Sequence, residues 1–355
     1  MGKAVNIPLT RTGSHPLGCH RVLSPPQVLP QAAEILDPSL PIYADEVLLQ
    51  VDCLHLDSAS LRQLKEVNGP NESAVAEAIE QIVGQRGKMQ NPVTGSGGML
   101  LGTVAQVGPQ SPHDLAVGDR VATLVSLTLT PLALQVVRHV DLETGRVEVS
   151  GHAILFPSGI FSKMPADLPE DLALAALDVC GAPAWVKRLV QSQDKVLVLG
   201  TGKAGLLATA AALDVVAPQQ VCTLDLRKLG EGFWPEAWRG IRSYDADAGQ
   251  AVAVWEFLQA KGEGPFDLVI HTCNAPETET LALLAVKTGG TVLFFNMATS
   301  FSRAVLTAEG VGKDARLLMG NGYAEGHTEY TLNLLRRHDF LRKHLGGNHP
   351  QGSGR

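Results

Sequence analysis

At 355 residues the chain is long enough for two domains of ordinary size. Hydrophobic residues at 45% and charged residues at 18%, the latter below the roughly 25% of an average soluble protein, exclude disorder for most of the chain. A net charge of −7, with lysine and arginine scattered, leaves no basic stripe for phosphate backbones or anionic lipid, so nucleic acid is not expected as a partner.

The first residues, MGKAVNIPLTRTGSH, lack the charged and apolar regions of a signal peptide, and Asn6 breaks a myristoylation pattern. Short β-like runs follow, EVLLQV (46–51), LLGTVAQVG (100–108) and DRVATLVSL (119–127), set between Gly, Pro and Asp turns. They predict a Gly-rich β-barrel or sandwich, interrupted by a helical stretch over 59–85 that breaks at Asn68, Gly69 and Pro70. The longest apolar stretch, 121–137, is cut by Ser126, Thr128, Thr130 and Pro131 and falls short of the ~20 residues a bilayer requires. No membrane partner is expected. Near residue 165 the texture changes to strand, helix, strand: KVLVLG (195–200), an Ala/Leu helix to about Val216, QVCTLDL (220–226), FDLVIHTC (266–273) and TVLFFN (291–296). Nearly continuous Val, Leu and Ile in these runs predicts strands covered on both faces, hence a doubly wound parallel sheet. After Ala315 the chain reads as helical and is expected to return to the first half, with GGNHPQGSGR (346–355) as a disordered tail. The five cysteines, Cys19, Cys53, Cys180, Cys222 and Cys273, form no C-x-x-C pair, which fits a reducing cytoplasm.

One motif carries chemistry on its own residues. In KVLVLGTGKAG, Gly200, Gly202 and Gly205, with Lys203 and Ala204 between them, leave a strand and open a helix. That context suits a pyrophosphate against backbone N–H groups. Asp225 follows Gly205 by twenty residues, where a carboxylate can accept the adenosine ribose hydroxyls. The alternative is a tight strand-to-helix turn that binds nothing. The expected cofactor is NAD; Arg227 and Lys228 beyond Asp225 keep NADP possible. Cys273, Asn274, Asn296 and Met297 follow successive parallel strands and are read as cofactor contacts, ordinary loop packing being their other role.

A β-rich domain ahead of a dinucleotide domain, with LGTVAQVG followed by AVGDRV (116–121), resembles the medium-chain dehydrogenase/reductases. The resemblance implies a GroES-like substrate domain over 1–165, a Rossmann domain over 166–314 and a C-terminal return over 315–355. Zinc-dependent members carry a His and a Glu where this chain has Gly98 and Met99, and a ligand Cys at the position of Asp57; a third ligand position falls near 178–180. No zinc or other metal is therefore expected. GCHRVLSPPQVLPQ (18–31), HLDSAS (55–60), NPVTGSGGM (91–99), LVSLTLTPL (124–132) and LALAALDVCGAPAWVKRLV (172–190) are similar to the zinc-independent 3,5-diaminohexanoate dehydrogenase family. That implies NAD(P)-dependent oxidative deamination of (3S,5S)-3,5-diaminohexanoate to 5-amino-3-oxohexanoate and ammonia, in lysine degradation.

An alkylammonium loses its proton near pKa ~10, and the freed lone pair can expel hydride from the same carbon without a Lewis acid. Such chemistry wants a base, acidic groups for two amines, and a cation or hydroxyls for the carboxylate. Asp57 and Asp178 are the expected acidic lining, although Asp57 also reads as a helix cap and Asp178 as a backbone partner. His55 is the reserve base, with a satisfied core histidine as its other role. Arg21 is expected to grip the carboxylate unless it forms a salt bridge, and Ser58, Ser96 and Thr128 to add hydroxyl contacts. Loop 95–98 reads equally as a plain tight turn. A homo-oligomer, dimer or tetramer, paired through 291–306 is expected from the resemblance. Rival readings are a zinc-free quinone or enoyl reductase and a non-catalytic nucleotide-binding sensor.

Overall fold

A computed structural model describes residues 10–124 and 126–346. The chain divides into two compact units, with the boundary between Pro165 and Ala166.

The first unit runs β1 (Val22–Ser24), β2 (Ile35–Leu36), β3 (Val47–His55), α1 (Ser58–Asn68), α2 (Glu72–Arg86), β4 (Met99–Val107), β5 (Arg120–Thr123), β6 (Leu132–Val140), β7 (Arg146–Leu155) and β8 (Phe161–Lys163). β1 and β2 pair as a small antiparallel ribbon, and the other six strands form one antiparallel sheet in the order β6-β7-β3-β4-β5-β8. Along β3 buried Val47, Leu49 and Val51 alternate with less buried neighbours, the period of a sheet with one face on a core. Val75, Ile79 and Val83 of α2, spaced at about one helical turn, join that core. The predicted helical stretch is thus two helices, each capped: Asp57 accepts from the N–H of Ala59 and Ser60, and Asn71 from that of Ala74. The run predicted as strand over 119–127 stops at Thr123. A 3₁₀ turn, Leu127–Leu129, follows, because the Ser126 hydroxyl accepts from Thr128 N and bends the chain.

The second unit runs α3 (Glu170–Leu177), α4 (Gly181–Leu189), β9 (Val196–Leu199), α5 (Lys203–Leu213), β10 (Val221–Asp225), β11 (Arg242–Asp245), α6 (Ala251–Ala260), β12 (Phe266–His271), α7 (Glu279–Ala285), β13 (Val286–Phe294), α8 (Phe301–Gly310), β14 (Arg316–Met319), α9 (His327–Arg337) and α10 (Asp339–Gly346). Its six strands are parallel throughout, in the order β11-β10-β9-β12-β13-β14. The order reverses beside β9, which opens a crevice at the carboxyl ends of β9 and its neighbours, the usual ligand position in such sheets.

The link from β10 to β11, residues 226–241, contains a 3₁₀ turn at Glu236–Trp238. Phe233 lies 5.4 Å from Phe340 and 5.0 Å from His344, and Trp238 lies 5.1 Å from Phe340. The described residues after 315 belong to the second unit. β14 joins the parallel sheet, and α9 and α10 pack on α3, α4 and α5 of the second unit. Arg337 fixes α9 there through two 2.8 Å bonds to Asp214, which also accepts from the Tyr330 hydroxyl at 2.8 Å. The part of the predicted tail beyond Gly346 lies outside the described residues. Among the described residues, no helix is long and apolar enough to cross a membrane.

Candidate active site

In the second unit the buried strand β9 delivers the glycine turn. Gly200 takes a φ of +91°, which only glycine adopts at little cost, and a Cβ on Gly205 would stand 1.9 Å from the Gly200 carbonyl oxygen. Helix α5 therefore approaches the turn as closely as it does because position 205 has no side chain. Gly202 begins the helix without a side-chain cap, and a Cβ there would meet nothing within 4 Å. The first N–H groups of α5 are thus open to an anion, and the residues present fit a dinucleotide pyrophosphate. Lys203 and Ala204 form the first turn of that helix. Thr272, not singled out from the sequence, braces the turn by hydroxyl bonds to the Leu199 and Gly200 carbonyls at 2.9 and 3.0 Å.

Asp225 closes β10 beside the turn. Its Oδ2 accepts from Thr201 N at 2.5 Å and Thr201 Oγ1 at 2.6 Å, and its Oδ1 accepts from Arg227 N at 2.8 Å. The Arg227 guanidinium is exposed and lies 5.9 Å from the Phe233 ring centroid. Burial, with Asp225 and Asp247 nearby, pushes the Cys273 thiol up to about 12, so it is a neutral group at ordinary pH. Asn274 and Met297 are exposed. The Asn296 amide is turned inward: Oδ1 accepts from Ala298 N and Thr299 Oγ1, both at 2.9 Å, and Nδ2 donates to His271 Nδ1 at 2.6 Å. Its polar atoms thus shape the loop after β13. His271 is wholly buried, and desolvation holds it down at about 4 against the opposing charge of Glu279. With Nδ1 accepting, Nε2–H donates to Thr278 Oγ1 at 2.8 Å, and that hydroxyl donates to Ala275 O at 3.0 Å. A neutral histidine thus ties together the loops that follow β12 and β13.

In the first unit Asp57 is at once a helix cap and the centre of a hydroxyl cluster. Oδ1 accepts from Ala59 N, Ser60 N and Ser96 Oγ at 3.0, 2.9 and 3.0 Å; Oδ2 accepts from Ser60 Oγ at 2.8 Å. Thr94 Oγ1 stands 3.1 Å from Ser60 Oγ and 2.8 Å from Ser96 Oγ. Ser60 and Thr94 were not identified from the sequence, although the first lies three residues after the capping aspartate and the second in the Gly-rich loop. Ser58 is exposed on the first turn of α1, and His55 is the half-buried last residue of β3, paired with Met99 and Arg146. Thr128 is buried, and its carbonyl accepts from Lys88 Nζ at 2.7 Å. Lys88 is itself fully buried, donates to Pro30 O at 3.0 Å as well, and is drawn down to about 8, first by burial and then by Arg86. Asp178 lies on the other unit, exposed at the end of α3, where its N–H donates to Leu174 O at 3.0 Å.

Arg21 does not hold a ligand. It is 0% exposed, with Nε and Nη2 on the two Glu46 oxygens at 2.7 and 2.6 Å and Nη1 on the Asp37 and Ser39 carbonyls at 2.9 Å each. Its guanidinium is committed to an internal salt bridge, so the expectation of a substrate-carboxylate clamp is corrected. The residues also do not fit a zinc ion. Gly98 has a φ of +106°, and a Cβ there would stand 2.0 Å from the His55 carbonyl oxygen, so no ligating side chain fits. Among the described residues, no group of three or more His, Cys, Asp or Glu is placed to hold a metal.

The model of the L-erythro-3,5-diaminohexanoate dehydrogenase N-terminal domain matches residues 20–165. Two curated proteins of that name are each 44% identical to this chain over 92% of its length and 96% of their own, one from Acetoanaerobium sticklandii and one from Fusobacterium nucleatum subsp. nucleatum. A solved quinone oxidoreductase from Coxiella burnetii superposes with a TM-score of 0.52 at 16% identity, covering 89% of this chain and 90% of its own. That likeness shows the medium-chain dehydrogenase/reductase fold and nothing finer. The reductase and sensor readings are not favoured by such relatives. Identity at this level extends well past the N-terminal domain into the unit that carries the glycine turn, and the chain belongs to the L-erythro-3,5-diaminohexanoate dehydrogenase family.

Proposed function

We propose that the protein oxidatively deaminates 3,5-diaminohexanoate at C3, giving 5-amino-3-oxohexanoate, ammonia and reduced cofactor, as a step of lysine degradation in the cytoplasm. The 44% identity to two relatives of that name over 92% of the chain carries this reading. A nicotinamide cofactor suits the open N-terminus of α5 and the close approach at Gly205; when bound it supplies the hydride acceptor. NAD is the preferred form, because Oδ1 of Asp225 keeps capacity for a ribose hydroxyl while the carboxylate repels a 2′-phosphate.

For the substrate, Oδ2 of Asp57 has one protein donor and room for another, with three hydroxyl oxygens around it. We assign it a substrate ammonium, held by charge and by the Ser60, Thr94 and Ser96 hydroxyls. The C3 ammonium must pass its proton to a base, one of Asp57, Asp178 or, in reserve, His55, before hydride departs to the cofactor, since only the free lone pair can form the C=N bond; water then converts the imine to ketone and ammonia. A second copy of this chain is the expected partner, since β14 is an edge strand, and Met319 on it and Phe301 and Leu306 on α8 are exposed apolar residues. The test is an absorbance assay at ~340 nm, the band of reduced nicotinamide. It uses 3,5-diaminohexanoate with NAD⁺ or NADP⁺, and lysine as decoy. Reduction with the diamino acid and NAD⁺, and none with lysine, is expected; no reduction with either cofactor overturns the reading.

A further inference from the structure

We propose that Thr201 sets the preference between NAD⁺ and NADP⁺ by locking the carboxylate of Asp225; this rests on the cofactor reading above. Thr201 is the residue between the first two glycines of the turn and is 1% exposed. It places two donors, its N–H at 2.5 Å and its hydroxyl at 2.6 Å, on a single oxygen of Asp225. The other oxygen is held by Arg227 N at 2.8 Å. A carboxylate fixed on both sides cannot rotate away from an arriving group without breaking hydrogen bonds to a charged acceptor, which are the stronger kind.

The fixed charge has two effects. It offers a ribose hydroxyl an acceptor already in place, and it sets a negative charge against a 2′-phosphate. Arg227 stands ready to take that phosphate: its guanidinium is exposed, lies beside the Phe233 ring and reaches the Thr201 carbonyl and hydroxyl oxygens at 3.5 Å. The cation favours phosphate and the pinned carboxylate opposes it. Remove the hydroxyl and the carboxylate loses one of its three hydrogen bonds, keeps the Thr201 and Arg227 N–H groups, and is held less firmly against a phosphate arriving beside Arg227. Thr201 is thus a positioning residue for Asp225, and its hydroxyl tips the balance.

The test is isothermal titration of the whole protein with NAD⁺ and with NADP⁺, reading the ratio of the two Kd values. Thr201→Val keeps shape and the N–H but loses the hydroxyl; Thr201→Ser keeps the hydroxyl. We expect wild type to favour NAD⁺, Thr201→Val to lower that preference about tenfold, or ~1.4 kcal/mol, and Thr201→Ser to stay within about twofold of wild type. Should the valine variant not fold, Thr201→Ala makes the same comparison. A ratio unchanged in Thr201→Val, or lowered as far in Thr201→Ser, overturns the role of Thr201 while NAD⁺ binding by wild type keeps the cofactor reading. Wild type that binds neither nucleotide overturns both.

Discussion

Glu46 lies 0% exposed, with Arg21 bidentate on it, His20 Nε2 at 2.8 Å and Tyr43 N at 2.7 Å. Burial alone would raise this carboxyl, but the Arg21 and His20 side chains and the Tyr43 N–H outweigh it and hold the group at about 2. A carboxyl depressed from its usual 4.5 contributes stability that is complete above pH 4.5 and is lost as pH falls through about 2. Glu46→Gln leaves the guanidinium buried without its charge partner and is expected to cost about 3–5 kcal/mol at pH 7. Urea denaturation at pH 7 and at pH 3 checks it: the gap between wild type and variant should narrow at the lower pH. The sequence left a salt bridge open for Arg21 but could not name Glu46, because a fold, not spacing, brings residues 21 and 46 together. Asp57 was more legible. A carboxylate before a helix reads as a cap at once, whereas the Ser96 hydroxyl reaches it, and Thr94 joins Ser60 and Ser96 beside it, only through folding of the distant Gly-rich loop.

Where β9 passes into α5, the crossing is set by one missing side chain. Gly205→Ala puts a methyl group 1.9 Å from the Gly200 carbonyl oxygen, so helix and turn must separate. We expect a loss of about 1–3 kcal/mol in stability, and cofactor binding weakened by at least about tenfold, measured by urea denaturation and titration calorimetry. A fully stable variant with unaltered affinity would disprove that the close approach matters. This element was readable because every residue of β9 is apolar and buried, and because glycine spacing marks the turn. β11 was not: its four residues, RSYD, alternate between half-buried and exposed and lack an apolar run, so only pairing with β10 identifies it. The loop over 226–241 was equally silent, since its shape depends on rings contributed by α10.

The chain's two-unit division and the parallel sheet were visible as a change of texture near residue 165; the destination of the last helices was not. The buried face of α9, with His327, Thr331, Leu332, Leu334 and Leu335, declares that the helix is packed but not against what. Met319, at the end of the edge strand β14, and Phe301, at the start of α8, are 54% and 69% exposed. The double variant Phe301→Glu, Met319→Lys is expected to reduce the solution mass to that of one 37.6 kDa chain, as measured by light scattering. A wild type already of that mass would refute pairing there. The aromatic contacts of Phe233 and Trp238 with Phe340 have a further consequence. A ribosome emits the segment behind Asp225 long before its partners on α10, so that segment stays without its packing until synthesis is all but over. Messages truncated shortly before codon 340 should therefore yield chains that hold nucleotide poorly, however completely the earlier strands have assembled.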